Sequence, residues 1–291
     1  AGVASGTGDL TILAGADIEQ SAGVDLSTTG AGSIDLEATS GDFTMSASAR
    51  IESVDGDIRI VSGDAVSDRM VIGDIVASNA NVSLETAGSL LDAGDADAEV
   101  SAVGLRIDAG KGVGLLSGNS LSAAVDAFET SVTNLSVWVH GSDGINIAES
   151  NALHLGNVES AYNSDASVVV YRVQSDGTRT VQSEASQSDV VTTAVNGANG
   201  SIVIVSGGDI SVASGDAVAD AVSGSAVVAN GSGNIRLDAA GAGSNLTLET
   251  AADVSSTTGN ITLSAVGSMT LQGSVDVSTT GSGTIGLSTA T

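Results

Sequence analysis

Gly8-Asp9-Leu10-Thr11-Ile12 carries the pattern that decides the fold: behind a Gly-Asp pair, two apolar residues flank a polar one. Gly259-Asn260-Ile261-Thr262-Leu263 repeats it far along the chain. Alternation with a period of two belongs to a half-buried strand, and the Gly, Asp, Asn and Ser residues between beats are turn formers. Leu10, Ile18, Leu26, Ile34, Phe43, Ile51 and Ile58 stand 8, 8, 8, 9, 8 and 7 residues apart, too close for helical units. A fixed period of short strands is the mark of a solenoid, in which each repeat buries its apolar face against the next. The expected fold is all-β, a parallel β-helix running as one continuous unit over residues 1–291. Right-handed coiling is the default for parallel crossovers. Two or three beats per round give about 16–25 residues, hence on the order of 12–18 rounds stacked at about 4.8 Å. Leu10, Ile18, Leu26, Ile34, Ile58, Ile235, Leu248, Ile261, Leu263 and Ile285 are expected to point inward.

Composition agrees with a thin core. The 291 residues include 38 Gly, five aromatic residues and neither Pro nor Cys, so the interior must be built from Val, Ile, Leu and Ala. The formal charge is −27, from 35 carboxylates against eight basic residues. Such a surface repels nucleic acid and anionic membranes, both of which are bound by neutralising phosphates. The acid is read as solvation of a long β-surface that would otherwise aggregate. No run approaches the length of a membrane span, and Ala1-Gly2-Val3-Ala4 has neither the basic nor the apolar region of a signal peptide. Both ends already carry the repeat, so the solenoid is expected to be uncapped and to associate end to end with copies of itself.

Longer echoes point to duplicated blocks. VDLSTTGAGSIDL at 24–36 returns as VDVSTTGSGTIGL at 275–287, and GDIRIVSGDAVSD at 56–68 as GDISVASGDAVAD at 208–220, each with 9 of 13 positions identical. Between about 119 and 200 the beat loosens into a less regular insertion that gathers Trp138, His140, His154, Tyr162, Tyr171, Arg172 and Arg179. Two apolar-polar runs flank Asp176-Gly177, a hairpin-turn dipeptide, which predicts a hairpin over about 167–182. Insertions in repeat proteins often carry recognition, and Tyr162, Tyr171, Arg172, Arg179 and Trp138 are residue types enriched at interfaces. They are the candidate binding residues, with a hairpin that merely covers a coil edge as the competing reading. On the recognition reading, deleting the hairpin leaves stability nearly intact.

Catalytic arrangements are scarce. There is no Gly-x-Ser-x-Gly elbow, and His140 and His154 lack the spacing and cysteine partners of a zinc site. Gly281-Ser282-Gly283-Thr284-Ile285-Gly286 matches GxGxxG, but no helix is signalled to receive a pyrophosphate. A polysaccharide lyase needs a basic proton abstractor and cations for its acidic sugar, which this chain supplies poorly. A hydrolase needs only two carboxylates across one cleft. Calcium is the cofactor the composition suits, because its ligands are hard oxygens. Asp95, Asp97 and Glu99 alternate in GDADAEV and would share one face of an extended strand. Solvated acid is the plainer reading of the same residues.

GDLTILAGADI at 8–18, GNITLSAVGSMTL at 259–271 and ESNALHLGNV at 149–158 resemble the filamentous-haemagglutinin-like and giant repeat adhesins of bacteria. The resemblance covers most of the chain, least well at 160–200. It implies a secreted, extracellular or surface-held right-handed β-helix serving adhesion, biofilm or filament formation, with cell-surface or matrix carbohydrate or protein as partner. The amino-terminal secretion domain of such proteins is not visible in the sequence. The functional expectation is a non-catalytic structural and adhesive segment of a large bacterial surface protein. A carbohydrate-active β-helix enzyme is the alternative.

Overall fold

The computed structural model describes residues 2–94, 97–116, 127–193, 200–214 and 225–290. Among them there is no helix, and so none long and apolar enough to cross a membrane. Twenty-seven strands form one sheet whose pairings are all parallel, and two more form a separate antiparallel pair. The parallel strands join residues about one repeat apart: Ile34 pairs with Ile58, Arg50 with Asp74, and Ile261 with Ile285. This arrangement is consistent with a β-solenoid.

Three ladders run in the amino-terminal half. The first joins Val3–Ser5, Asp25–Thr28 and Arg50–Ser53 to the start of Asp74–Thr86. The second joins Leu10–Ala14, Ile34–Ala38 and Ile58–Ser62 to the end of that same long strand. The third begins with Ile18–Gln20, Phe43–Met45 and Arg69–Ile72. Strand Phe128–Val139 is the junction with the other half. One edge pairs with Val100–Ala109, while the other is shared by Gly144–Glu149, Leu153–Leu155 and Val190–Thr192. Followed through the described residues, the third ladder contains ten strands, fewer rounds than the spacing suggested. A round takes three strands and about 24 residues, and the antiparallel pair uses up chain without adding a round.

The Gly-Asp/Asn beat has a physical cause. A Cβ at Gly56 would lie 2.1 Å from the carbonyl oxygen of Gly32, and one at Gly259 would lie 2.0 Å from that of Gly233. Glycine lets consecutive rounds approach at the corner. The next residue then binds the following round. Ser33 N donates to Asp9 Oδ1 (2.9 Å), Asn81 N to Asp57 Oδ1 (3.0 Å), and Asn260 N to Asn234 Oδ1 (2.8 Å). Each turn side chain thus takes up a backbone N–H that the corner would otherwise leave unpaired.

Leu10, Leu26, Ile34, Ile58, Ile235, Leu248, Ile261 and Leu263 are buried, together with Phe43 and Phe128. Each such Ile or Leu contributes about 1.5–3 kcal/mol by leaving water. Ile18 is only partly buried against the same core. Ile285 departs from the expectation, being 43% exposed. It lies in the last strand of its ladder, which has a neighbour on one edge only.

Candidate functional site

After strand Leu153–Leu155 the chain leaves the ladders, and it rejoins them at Val190–Thr192. Between the two, Ala166–Val173 and Arg179–Ala185 pair antiparallel around Asp176-Gly177. Gly177 has φ of 82°, and Asp176 Oδ1 accepts from the amide and the hydroxyl of Thr178. This hairpin lies across the outside of the second ladder. Val169 N donates to Asp57 Oδ2 (2.9 Å), Tyr171 N to Ser33 Oγ (2.8 Å) and Val173 N to Thr11 Oγ1 (2.9 Å). Asn81 Nδ2 donates to the carbonyl of Ser167 (3.0 Å). Every second residue of the strand therefore meets one further round, four rounds in all.

Charge holds the seat. Arg172 donates from Nε to Asp35 Oδ2 and from Nη2 to Glu37 Oε2, both at 2.6 Å. Arg59 reaches the same two carboxylates at 3.0 and 3.1 Å, and Glu184 of the hairpin at 2.5 Å. Burial pushes the Glu37 carboxyl up, but the bonds from Arg172 and Arg59 outweigh it and hold the group below its ordinary value. Asp57 goes the other way: burial raises it despite bonds from Ser160, Asn81 and Val169. Arg179 pairs with Asp9 at 2.7 Å and lies 5.0 Å over the Tyr171 ring.

Tyr171, Arg172 and Arg179 are thus brought together, with both guanidinium groups and the Tyr171 amide turned toward the ladder. Tyr162 is at the base of the hairpin segment, where its hydroxyl donates to the Asp55 carbonyl (2.6 Å). Trp138 sits apart from the hairpin, on strand Phe128–Val139, its ring 4.8 Å from that of His140. His140 contacts Asp108 at 2.8 Å, and this bond raises its pKa above the ordinary 6.5, against the effect of burial. The partners of the hairpin, Asp35, Glu37, Asp57 and Arg59, were not singled out by sequence reasoning. The column Asp9, Ser33, Asp57 and Asn81, spaced by 24 residues, is the signal that could have found them.

Of the three residues expected to hold calcium, Asp95 lies outside the described residues. Asp97 is exposed, on a groove of about 450 Å³ that it shares with Arg50 and Asp74, whereas Glu99 is buried. Asp97 and Glu99 therefore do not share one solvent face. Glu99 instead approaches Asp92 and Glu129: one ligand atom from each of the three lies within 4.8 Å of the others.

No family model matches the chain, and no curated protein or solved structure matches it either.

Proposed function

We propose that the chain is a non-catalytic structural and adhesive segment of a large secreted bacterial surface or filament-forming protein. In this reading it is a right-handed parallel β-helix whose rounds stack end to end with those of a second copy. One observation carries the reading: in-register parallel ladders in which each round is covered by the next. Such an architecture lengthens by adding rounds and presents long faces rather than a single cleft. The first and last described strands leave apolar side chains that a further round, of this chain or of a second copy, would cover. Leu287 is 50% exposed although its ladder neighbour Leu263 is buried, and Val3 is 54% exposed although its neighbour Leu26 is buried.

The basic residues support a structural role as well. Arg50, Arg59, Arg69, Arg106, Lys111, Arg172, Arg179 and Arg236 each sit in an ion pair with a carboxylate of this chain. The cations that a lyase would turn toward an acidic sugar are committed to the fold. Among the described residues a carbohydrate-active reading has at least two places to stand: a cleft of about 330 Å³ lined by Glu85, Asp108 and His140, and the groove of about 450 Å³ that brings Asp25, Asp74 and Asp97 beside Arg50.

Electron microscopy and sedimentation at moderate salt test the proposal. Rods that lengthen with protein concentration, and that fail to lengthen in an I285D/L287D variant, are expected. Strictly monomeric particles, or release of reducing ends from a polysaccharide panel that E85Q abolishes, would overturn it. Extracellular placement and binding to surface carbohydrate belong to the same proposal and are read by cell-surface labelling and glycan-array binding.

A further inference from the structure

One column of side chains runs up the edge of the first ladder, at the start of its strands. Asp25 pairs with Arg50 and Arg50 with Asp74. The same register sets Glu99 beside Asp74, since Ile75 pairs with Val100, and Glu129 beside Glu99, since Val100 pairs with Thr130. In the lower rounds the charges alternate, and Arg50 Nη1 lies 2.8 Å from Asp74 Oδ2. In the upper rounds an acid is stacked directly on an acid. Glu99 N donates to the Glu129 carbonyl (3.0 Å), and Glu129 N donates to Glu99 Oε2 (2.6 Å). Asp92 comes in from the side, at the end of strand Ser89–Asp92, steadied by the amide of Gly94.

Glu99 is the unusual member. It is 1% exposed, it has no basic partner among the described residues, and its Oε1 is buried without any hydrogen-bond donor. A buried carboxylate oxygen facing other carboxylates is strongly disfavoured unless something positive lies between them. Only a proton or a cation can do this.

We infer that Asp92, Glu99 and Glu129 form a binding site for one divalent cation of the calcium class, which takes in the upper rounds the place that Arg50 fills below. All three donors are hard carboxylate oxygens, and their 4.8 Å span fits opposite sides of a Ca²⁺ shell with bonds of about 2.3–2.6 Å. The ion would join the third ladder, through Asp92, to two successive rounds of the first. Magnesium, with bonds of about 2.0–2.1 Å and a reluctance to lose water, suits this span less well. The site is independent of the proposed adhesive role, and its failure would leave that role standing.

Calorimetric titration of the chelator-treated protein with CaCl₂ at neutral pH, in about 0.15 M salt to screen diffuse binding, is the test. One saturable site per chain is expected. Ca²⁺ should also raise the melting temperature. Glu99→Gln imitates the protonated carboxyl, so it should fold normally while losing the saturable heat and the Ca²⁺-dependent melting shift; Asp64→Asn, at an exposed turn, should keep both. No saturable binding up to about 10 mM, well above the range of weak extracellular calcium modules, would overturn the inference. Unchanged binding in a folded E99Q would do the same.

Discussion

The Arg172 guanidinium and the Asp35 carboxylate lie 2.6 Å apart although 137 residues of chain separate them. Asp35 is fully buried and the Arg172 side chain is only 16% exposed, so water does little to screen the pair. With the bonds of Val169, Tyr171 and Val173, the contact makes the hairpin a part of the amino-terminal rounds and not a projecting arm. Its removal would uncover Asp35 and Asp57, which argues against a hairpin that stability can spare.

Arg172→Ala should destabilise the protein by about 2–3 kcal/mol. A fully orphaned buried ion costs about 3–5 kcal/mol, and Arg59 remains to share Asp35. Urea unfolding reads the change as a lower midpoint at constant slope. A shift within about 0.5 kcal/mol, the range of ordinary surface substitutions, would mean that the pair contributes nothing.

Gly56→Ala and Gly15→Ala form a contrasting pair. The first places a methyl group 2.1 Å from a backbone oxygen of the round below, while the second meets nothing within 4 Å. Overpacking against backbone should cost about 1–3 kcal/mol at Gly56, and Gly15→Ala should be nearly neutral. Thermal melting of the two variants checks the difference.

Stability of the metal-free protein should decline as pH rises across the range where Glu99 titrates. Its carboxyl moves from an ordinary 4.5 to about 10 on folding, so the folded state holds the proton more tightly. The contribution is complete below about pH 4.5 and is lost as the pH climbs toward 10. Asp9 and Glu37, held below their ordinary values, act with the opposite sign and lose their contribution as pH falls. Denaturant unfolding at about pH 6 and about pH 9 should show a decline that E99Q flattens. An equal decline in E99Q would assign it elsewhere.

Trp138 should report the charge of His140. It is the chain's single tryptophan, and imidazolium beside an indole quenches its emission. Fluorescence should fall as pH drops through a midpoint above 6.5, because the Asp108 bond favours the charged ring. Asp108→Asn should bring the midpoint down; an unmoved midpoint would show that Asp108 does not control the proton.

The parallel strands were legible because alternation is local. Leu10, Ile34, Ile58 and Ile261 declare their inward face within five residues of sequence. The partners of a side chain were not, because they depend on register between rounds. Arg172 reads as a free interfacial arginine until strand Ala166–Val173 is laid over Asp35 and Glu37. Glu129 is hidden from Glu99 for a related reason: the pair is 30 residues apart, whereas Asp25, Arg50, Asp74 and Glu99 follow one another at 25, 24 and 25. Ile285 shows the limit of the pattern itself, since alternation tells which way a side chain points but not whether a further round lies over it.

The seat of the hairpin also sets an order of events during synthesis. A chain that emerges amino end first lays down Asp57 112 residues before Val169 arrives, and Asp35 137 residues before Arg172. Until then Asp35 has Arg59 but not Arg172, and Asp57 has the Asn81 amide but neither Ser160 nor Val169. A fragment ending at residue 158 should accordingly protect the amides of rounds one to four poorly in hydrogen exchange, and one ending at residue 193 should protect them well. The early rounds are therefore made well before the segment that locks them, and must stay soluble on the ribosome until it emerges.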